Sequence, residues 1–350
     1  MNVHNTVFVA RPIYRKRFRP RDSAVSARGL KYLSLPGNFG LPGAGAFLFA
    51  RAVGAVREIH AGRRIDVIHA HGPLPCGHAA MLLGAELNIP YVVTVHGLDA
   101  FSAAQVRGRA GEWCRRISQR VYRSSRRVIC ISEHVREAVL EGTGGSCRTS
   151  VVYNGVDPEL FTPSAAPSST TGLILTVGNL LPTKGHDALI RAAGALAAEF
   201  PALRWEIIGD GPERARLQRL CTQVQVADKV RFLGRQTRRQ VAAAMQSCTL
   251  FALPSRYEGL GCVYLEAMSS GKPAIGCRGQ GIAEVIQHGL NGFLVGPDNE
   301  KELALAIAML LKDERRRRNI SAAARDTILD RFTLIQQAEG LLRIYREAAQ

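Results

Sequence analysis

Several things are scarce in this 350-residue chain, and each scarcity excludes a class of protein. The longest uncharged apolar run, LALAIAMLL at 303–311, is far short of the roughly 18 residues that a membrane span needs. The opening MNVHNTVFVARPIY lacks the charged-then-apolar layout of an export signal, so a cytoplasmic location is expected. The eight cysteines (76, 114, 130, 147, 221, 248, 262 and 277) contain no C-x-x-C pair, and most lie in apolar runs such as RRVICIS and QSCTLFALPS. They read as reduced core residues, with no zinc site. No D-x-D string occurs, which leaves no sign of a chelated metal, and no metal or other cofactor is expected. Aromatic residues make up only 6%, and no aromatic-interleaved basic strand or Cys/His finger spacing accompanies the arginines, so no nucleic-acid partner is expected.

What is present is a globular composition. Hydrophobic residues at 46% beside 21% charged residues exclude intrinsic disorder, and 34 Gly with 16 Pro in no periodic repeat exclude collagen-like and coiled-coil designs. The length suits about two domains. Lys and Arg number 46 against 29 Asp and Glu, a formal +17. Residues 1–165 carry 22 basic against 11 acidic groups, residues 166–350 carry 24 against 18, so the first half is the more basic. Clusters stand at Arg11–Arg21 (RPIYRKRFRPR) and Arg315–Arg318. A solvated face and an anionic membrane surface both fit such clusters, each basic side chain adding about 1 kcal/mol at a membrane.

Between 64 and 156, apolar runs DVIHA (66–70), YVVTV (91–95), RVICI (127–131) and SVVY (150–153) alternate with amphipathic stretches such as HAAMLLGAEL and WCRRISQRVYRS. Near-continuous Val/Ile runs separated by helices predict a parallel sheet buried on both faces. A Pro/Ser/Thr/Ala stretch predicts a linker over 158–171. A second alternating series follows, with strands at LILTV (173–177), WEIIG (205–209), VRFLG (230–234), LFALP (250–254) and PAIGC, and a helical region over 299–348. The fold class expected is α/β, with two facing doubly wound Rossmann-like domains. The domains expected are 1–157, then the linker, then 172–330, with a C-terminal helix over 331–350 packing back on the first domain. Ligands in such folds lie beyond the carboxyl ends of the strands, so chemistry is sought in HAHGPLP (69–75), HGLDAF (96–101), GNLLPTKG (178–185), GDGPER (209–214), GRQ (234–236) and SRYEGLG (255–261).

The sharpest constellation is PSRYEGLGCVYLEAMSSGKPAIGCRGQGIAEVI. A buried strand ends at Pro254 and a helix begins near Gly261, so the amides of Leu260, Gly261 and Cys262 make an anion site reached through glycines. Glu258 sits at the mouth, suited to accept hydrogen bonds from a sugar ring, and Glu266, eight residues on, suits a ribose diol. Lys184, just past the first strand of the second domain, is placed to neutralise a diphosphate leaving group. His96 ends a strand of the first domain beside Gly97 and Asp99, and His69 and His71 end a neighbouring strand.

The string Glu258-Gly-Leu-Gly, Glu266-Ala-Met, Gly271-Lys-Pro, the Gly279/Gly281 turn and HGLNGFLV resembles the family 4 retaining glycosyltransferases of GT-B fold. VGNLLPTKG, GDGP, FLG, ISEHVREAV and NGVD extend the match over about 64–350. VGNLLPTKGHD and VVTVHGLDAF are most similar to enzymes of bacterial surface polysaccharide and teichuronic acid assembly. The resemblance implies transfer of a sugar from a nucleotide-diphosphate sugar, with retention, to a hydroxyl of a glycan or lipid-linked acceptor, with domain closure assembling the site. It implies that Lys184 binds the donor diphosphate, Glu266 the ribose, Glu258 and the amides of Gly259, Leu260, Gly261 and Cys262 the transferred sugar and phosphate, and His96 the donor sugar, with the base near Arg235.

Two departures stand out. Family members usually carry an arginine five residues before the lysine; here that donor-binding position is Asn179, which implies less help for Lys184 in holding the diphosphate. The chain opens at HNTVFVARPIY, which resembles the family's second strand, as though about 30 to 40 residues were absent from the first domain. Two alternatives share the architecture: a sugar-nucleotide 2-epimerase, which converts its substrate without an acceptor, and a truncated non-catalytic donor-binding subunit. A lipid-linked acceptor at an anionic membrane face would account for the excess positive charge, with the protein peripheral on the inner face.

Overall fold

The computed structural model describes residues 5–12, 26–33, 40–101, 106, 108–164 and 172–350. The chain forms two compact units, Met1–Val152 with Gly340–Gln350, and Tyr153–Glu339. Most of the basic cluster at Arg11–Arg21 and the second half of the segment expected as a linker lie outside the described residues.

In the first unit, β1 (Thr6–Pro12) and β2 (Ser26–Tyr32) pair in parallel as a two-stranded sheet. A second sheet holds β3 (Ile68–His71), β4 (Tyr91–Val95), β5 (Arg127–Cys130) and β6 (Thr149–Val151), all parallel and in chain order. All five residues of β4 are buried, which is why its Tyr-Val-Val-Thr-Val run shows no alternation. The helix Glu133–Thr143 starts where Ser132 accepts the Val135 N–H at 3.1 Å and stops at Gly144, whose φ of 63° suits glycine. From Gly340 the last helix, Leu334–Ala348, belongs to this unit and buries Ile344 and Ala348 with Val92 and Ile129.

The second unit is built on six parallel strands: β7 (Leu173–Val177), β8 (Arg204–Ile208), β9 (Val230–Gly234), β10 (Leu250–Ala252), β11 (Ala274–Cys277) and β12 (Gly292–Val295). Their spatial order is β12-β11-β10-β7-β8-β9. The chain runs outward in one direction from β7 to β9, then returns to the other side of β7 with β10, so the order reverses between β7 and β10. Leu250 faces Ile174 and Phe251 faces Leu175 across that junction. Ile174, Leu250, Ile275 and Phe293 are buried in one core with Trp205 and Ile307. Each such side chain contributes about 1.5–3 kcal/mol of hydrophobic stabilisation relative to exposure, so the sheet is a rigid base for the loops at its carboxyl edge.

Candidate active site

The reversal between β7 and β10 leaves a crevice at the carboxyl ends of these strands, the place where parallel open sheets receive ligands. A cleft of about 630 Å³ opens there, and Asn179, Lys184, Arg235, Glu258, Gly261 and Cys262 are among the residues lining it. Six of the residues picked out from the sequence are thereby brought together by three different loops.

The loop after β7 is pinned by Leu180, which is fully buried and whose N–H donates to the Asp210 carbonyl at 3.1 Å. A single 3₁₀ turn, Pro182–Lys184, then presents the lysine. Gly185 ends the turn with φ 67°, and a Cβ there would collide with the carbonyl of Pro254, so only glycine lets the loops after β7 and β10 approach this closely. His186 follows, buried, with Nε2 3.1 Å from the Asn179 carbonyl. Burial holds its pKa below the ordinary value, so it stays neutral and donates to that carbonyl as a structural support.

The loop after β10 carries Glu258, whose Oε2 accepts from Lys184 Nζ at 2.6 Å and from Ser255 Oγ at 3.4 Å. Both partners are mostly enclosed, with 20% of the lysine and 14% of the glutamate side chain exposed. The Glu258 backbone is fixed too: its N–H donates to Gln280 Oε1 at 2.9 Å and its carbonyl accepts from the Gly281 N–H at 3.0 Å. Gly261, with φ 84°, turns the chain into the helix Cys262–Ser269. The first amides of that helix have no carbonyl partner inside it and aim their positive dipole end out of the N-terminus.

Glu266 lies within this helix, outside the lining of the cleft, with Arg238 Nε 4.0 Å from its carboxylate. Burial raises its pKa to about 7 against the opposing pull of Arg238. Gly259 and Leu260 also lie outside the lining, and the Leu260 side chain is fully buried, so only its backbone is available to a ligand.

His96 belongs to the first unit, at the end of β4. Its backbone N–H donates to Asp99 Oδ1 at 2.9 Å, and its Nε2 lies 3.0 Å from His71 Nδ1 with the two rings stacked. His69 sits behind them, bonded to Thr94 Oγ1 at 2.7 Å and to the Tyr345 hydroxyl at 2.5 Å. Burial, then the neighbouring His71 and His96, lowers the His69 pKa to about 3, so this ring is a neutral spacer at physiological pH.

Three residues around the site, none of them lining the cleft, have no mark in the sequence. Gln280 holds the Glu258 backbone, Arg238 faces Glu266, and Arg256 ties the loop after β10 to the lysine turn. Arg256 was visible only as its position between the strand end and Glu258. Its partners, Asp187 and Asp298, are 69 and 42 residues away.

Residues 4–160 match the family model described as Glycosyltransferase Family 4, and residues 160–327 match the one described as Glycosyl transferases group 1. The chain is 30% identical over 310 residues to the D-inositol 3-phosphate glycosyltransferase of Salinispora arenicola, covering 81% of this chain and 69% of that protein. Among solved structures, sucrose-phosphate synthase from Thermosynechococcus elongatus superposes with a TM-score of 0.79 at 21% identity, covering 98% of this chain and 88% of that one. Anabaena HepE in complex with UDP-glucose superposes with a TM-score of 0.74 at 24% identity, covering 91% and 86%. Those likenesses establish the GT-B architecture of two Rossmann-like domains. With both halves matched and that relative sharing most of its length, the chain belongs to the family 4 glycosyltransferases and is an enzyme of that class.

Proposed function

We propose that this enzyme transfers a glycosyl unit from a nucleotide-diphosphate sugar, with retention at the anomeric carbon, to a hydroxyl of a glycan or lipid-linked acceptor in cell-surface polysaccharide synthesis. The observation that carries the donor assignment is the Lys184–Glu258 pair, 2.6 Å apart in the cleft at the switch point of the sheet. An ammonium held by a single carboxylate in a cleft is neutralised but replaceable. As a diphosphate enters, its oxygens take over the lysine, and Glu258 is released to accept hydrogen bonds from the sugar hydroxyls. Charge that develops on the leaving diphosphate meets Lys184 and the amides at the start of helix Cys262–Ser269, dipoles already fixed by the fold. Glu266, one helical turn beyond the lining residue Cys262 and with its carboxyl pushed up by burial to about 7, is assigned to the ribose diol, from which it would accept in its carboxylate form. The HepE structure with UDP-glucose supports a nucleotide sugar as the donor class.

The acceptor side rests on charge. The formal +17 is weighted toward residues 1–165, which favours an acceptor presented at an anionic membrane face with the enzyme peripheral to it. Among the described residues no helix is long and apolar enough to cross a membrane. Calorimetric titration of UDP, GDP, ADP and their sugars tests the donor assignment. Saturable binding of one nucleotide and its sugar is expected, and absence of binding by all of them overturns it. Conversion of a nucleotide sugar with no acceptor present would replace transfer by epimerisation.

A further inference from the structure

The geometry points to Arg256 as a positioning residue that holds the turn carrying Lys184 against the loop carrying Glu258. This role rests on the donor-site reading for its effect on catalysis, but the strut itself is a property of the fold. Arg256 does not line the cleft. Its guanidinium instead spends its donors on three separate segments. Nε donates to Asp298 Oδ1 at 2.7 Å in the loop after β12, one terminal nitrogen donates to the Pro182 carbonyl at the start of the lysine turn, and the other donates to Asp187 Oδ2 at 3.0 Å in the first helical turn beyond it. Its backbone N–H also donates to the Thr183 carbonyl at 2.8 Å. The residues immediately around Lys184 are therefore tied from both sides to a residue two positions before Glu258.

The network reaches one loop further. Asp187 also faces Arg216 at 3.8 Å, and Arg216 donates to Glu213 at 2.6 Å in the segment after β8. Loops following β7, β8, β10 and β12 are thus laced together beneath the cleft. Isolated exposed ion pairs add little, because holding two long side chains in one geometry costs most of what the charge supplies. Here one planar fork makes several bonds at once, and only 31% of it is exposed, with 19% of Asp187. A lysine at this position would carry its three donors on one nitrogen, without the spread of the planar fork that lets Nε and both terminal nitrogens of Arg256 each reach a different partner. The need for such a strut is clear from Lys184 itself. Its four-carbon stem is flexible and has many rotamers, so the 2.6 Å contact depends on where the turn is held.

Two readouts on the full chain test this role: hydrogen exchange of the nucleotide-free protein, and calorimetric titration of UDP, GDP and ADP into wild type, Arg256→Met, Lys184→Ala and the double variant. Amides of the segment 181–187 are expected to exchange at least about tenfold faster in Arg256→Met while helix Glu133–Thr143 of the first unit is unchanged. Nucleotide binding is expected to weaken about tenfold in the wild-type background and by less than about twofold when Lys184 is already absent, the non-additivity of residues acting through one another. Arg256→Lys should recover only a minor part of the loss. If Arg256→Met does not fold, Asp298→Asn carries the same measurements, since it removes one arm on a side chain that is 59% exposed, with about a threefold effect expected. Unchanged exchange at 181–187, or an equal loss of binding in both backgrounds, overturns the role. A wild type that binds none of the nucleotides overturns the donor site instead, while the exchange measurement still decides the strut.

Discussion

Removing the Lys184 ammonium is the perturbation with the most to say about the cleft. The charged residues lining it are Lys184, Arg235 and Glu258, a net single positive charge. Lys184→Ala takes this to zero and leaves the Glu258 carboxylate, only 14% exposed, without the cation that stood 2.6 Å away. An incoming diphosphate then loses an attraction and meets an unscreened negative group. Losing one such charge-stabilising group costs on the order of 10²-fold in turnover, about 2.7 kcal/mol. The orphaned carboxylate makes nucleotide binding worse still, so the double variant Lys184→Ala/Glu258→Gln is expected to bind nucleoside diphosphate roughly tenfold more tightly than Lys184→Ala alone. Initial rates of transfer give the first number and calorimetry the second. Near-normal turnover in Lys184→Ala, or a double variant that binds more weakly than the single, would remove Lys184 from the donor site. The stability cost of breaking the pair is smaller than the ~3–5 kcal/mol of a fully buried one, about 1–2 kcal/mol after allowance for its partial exposure.

Glu258→Ala is expected to cut transfer by at least about 10²-fold while sparing nucleotide binding, because the carboxylate serves the sugar and its absence frees the lysine; unchanged transfer contradicts the assignment. Burial raises the Glu266 carboxyl from 4.5 to about 7, so the folded state holds more protons across that window and stability, fullest below it, falls as pH rises through it. Glu266→Gln should therefore lose less stability than wild type between pH 5 and 8, by an order of 2–3 kcal/mol, and should lose the rise in donor affinity through pH 7; parallel melting curves for the two proteins count against it. Gly185→Ala is expected to destabilise the second unit by about 2 kcal/mol or more and to weaken nucleotide binding, through strain at φ 67° and the collision with the Pro254 carbonyl. Vesicles containing anionic lipid should retain the purified protein at low salt and release it at high salt, and indifference to them removes the basis of the membrane-face acceptor.

Much of this molecule is legible in the chain because parallel α/β folds write their strands as short buried runs. YVVTV and LILTV correspond to Tyr91–Val95 and Leu173–Val177, and the glycines around Glu258 mark the turn into the helix Cys262–Ser269. Other features had no local mark. The strand Gly292–Val295 is a four-residue run beside a turn, too short for periodicity to declare it. Leu260 looks like one more residue of a binding loop, yet its side chain plugs the core. Nothing in the neighbourhood of His69 reveals that Tyr345, 276 residues on, bonds its ring.

Element types, their alternation, and the placing of Lys184, Glu258 and the glycine turn just beyond strand ends are written locally in the chain, since each follows from contacts spanning only a few residues. Tertiary structure alone decided that β10 lies beside β7. That adjacency brings two residues 74 positions apart to 2.6 Å and lets Arg256 reach Asp187 in the first turn of the helix after the lysine turn, beside Asp298 in the loop after β12. Strand order is chosen by how whole buried faces pack together, and ion pairs across loops form only after that choice is made.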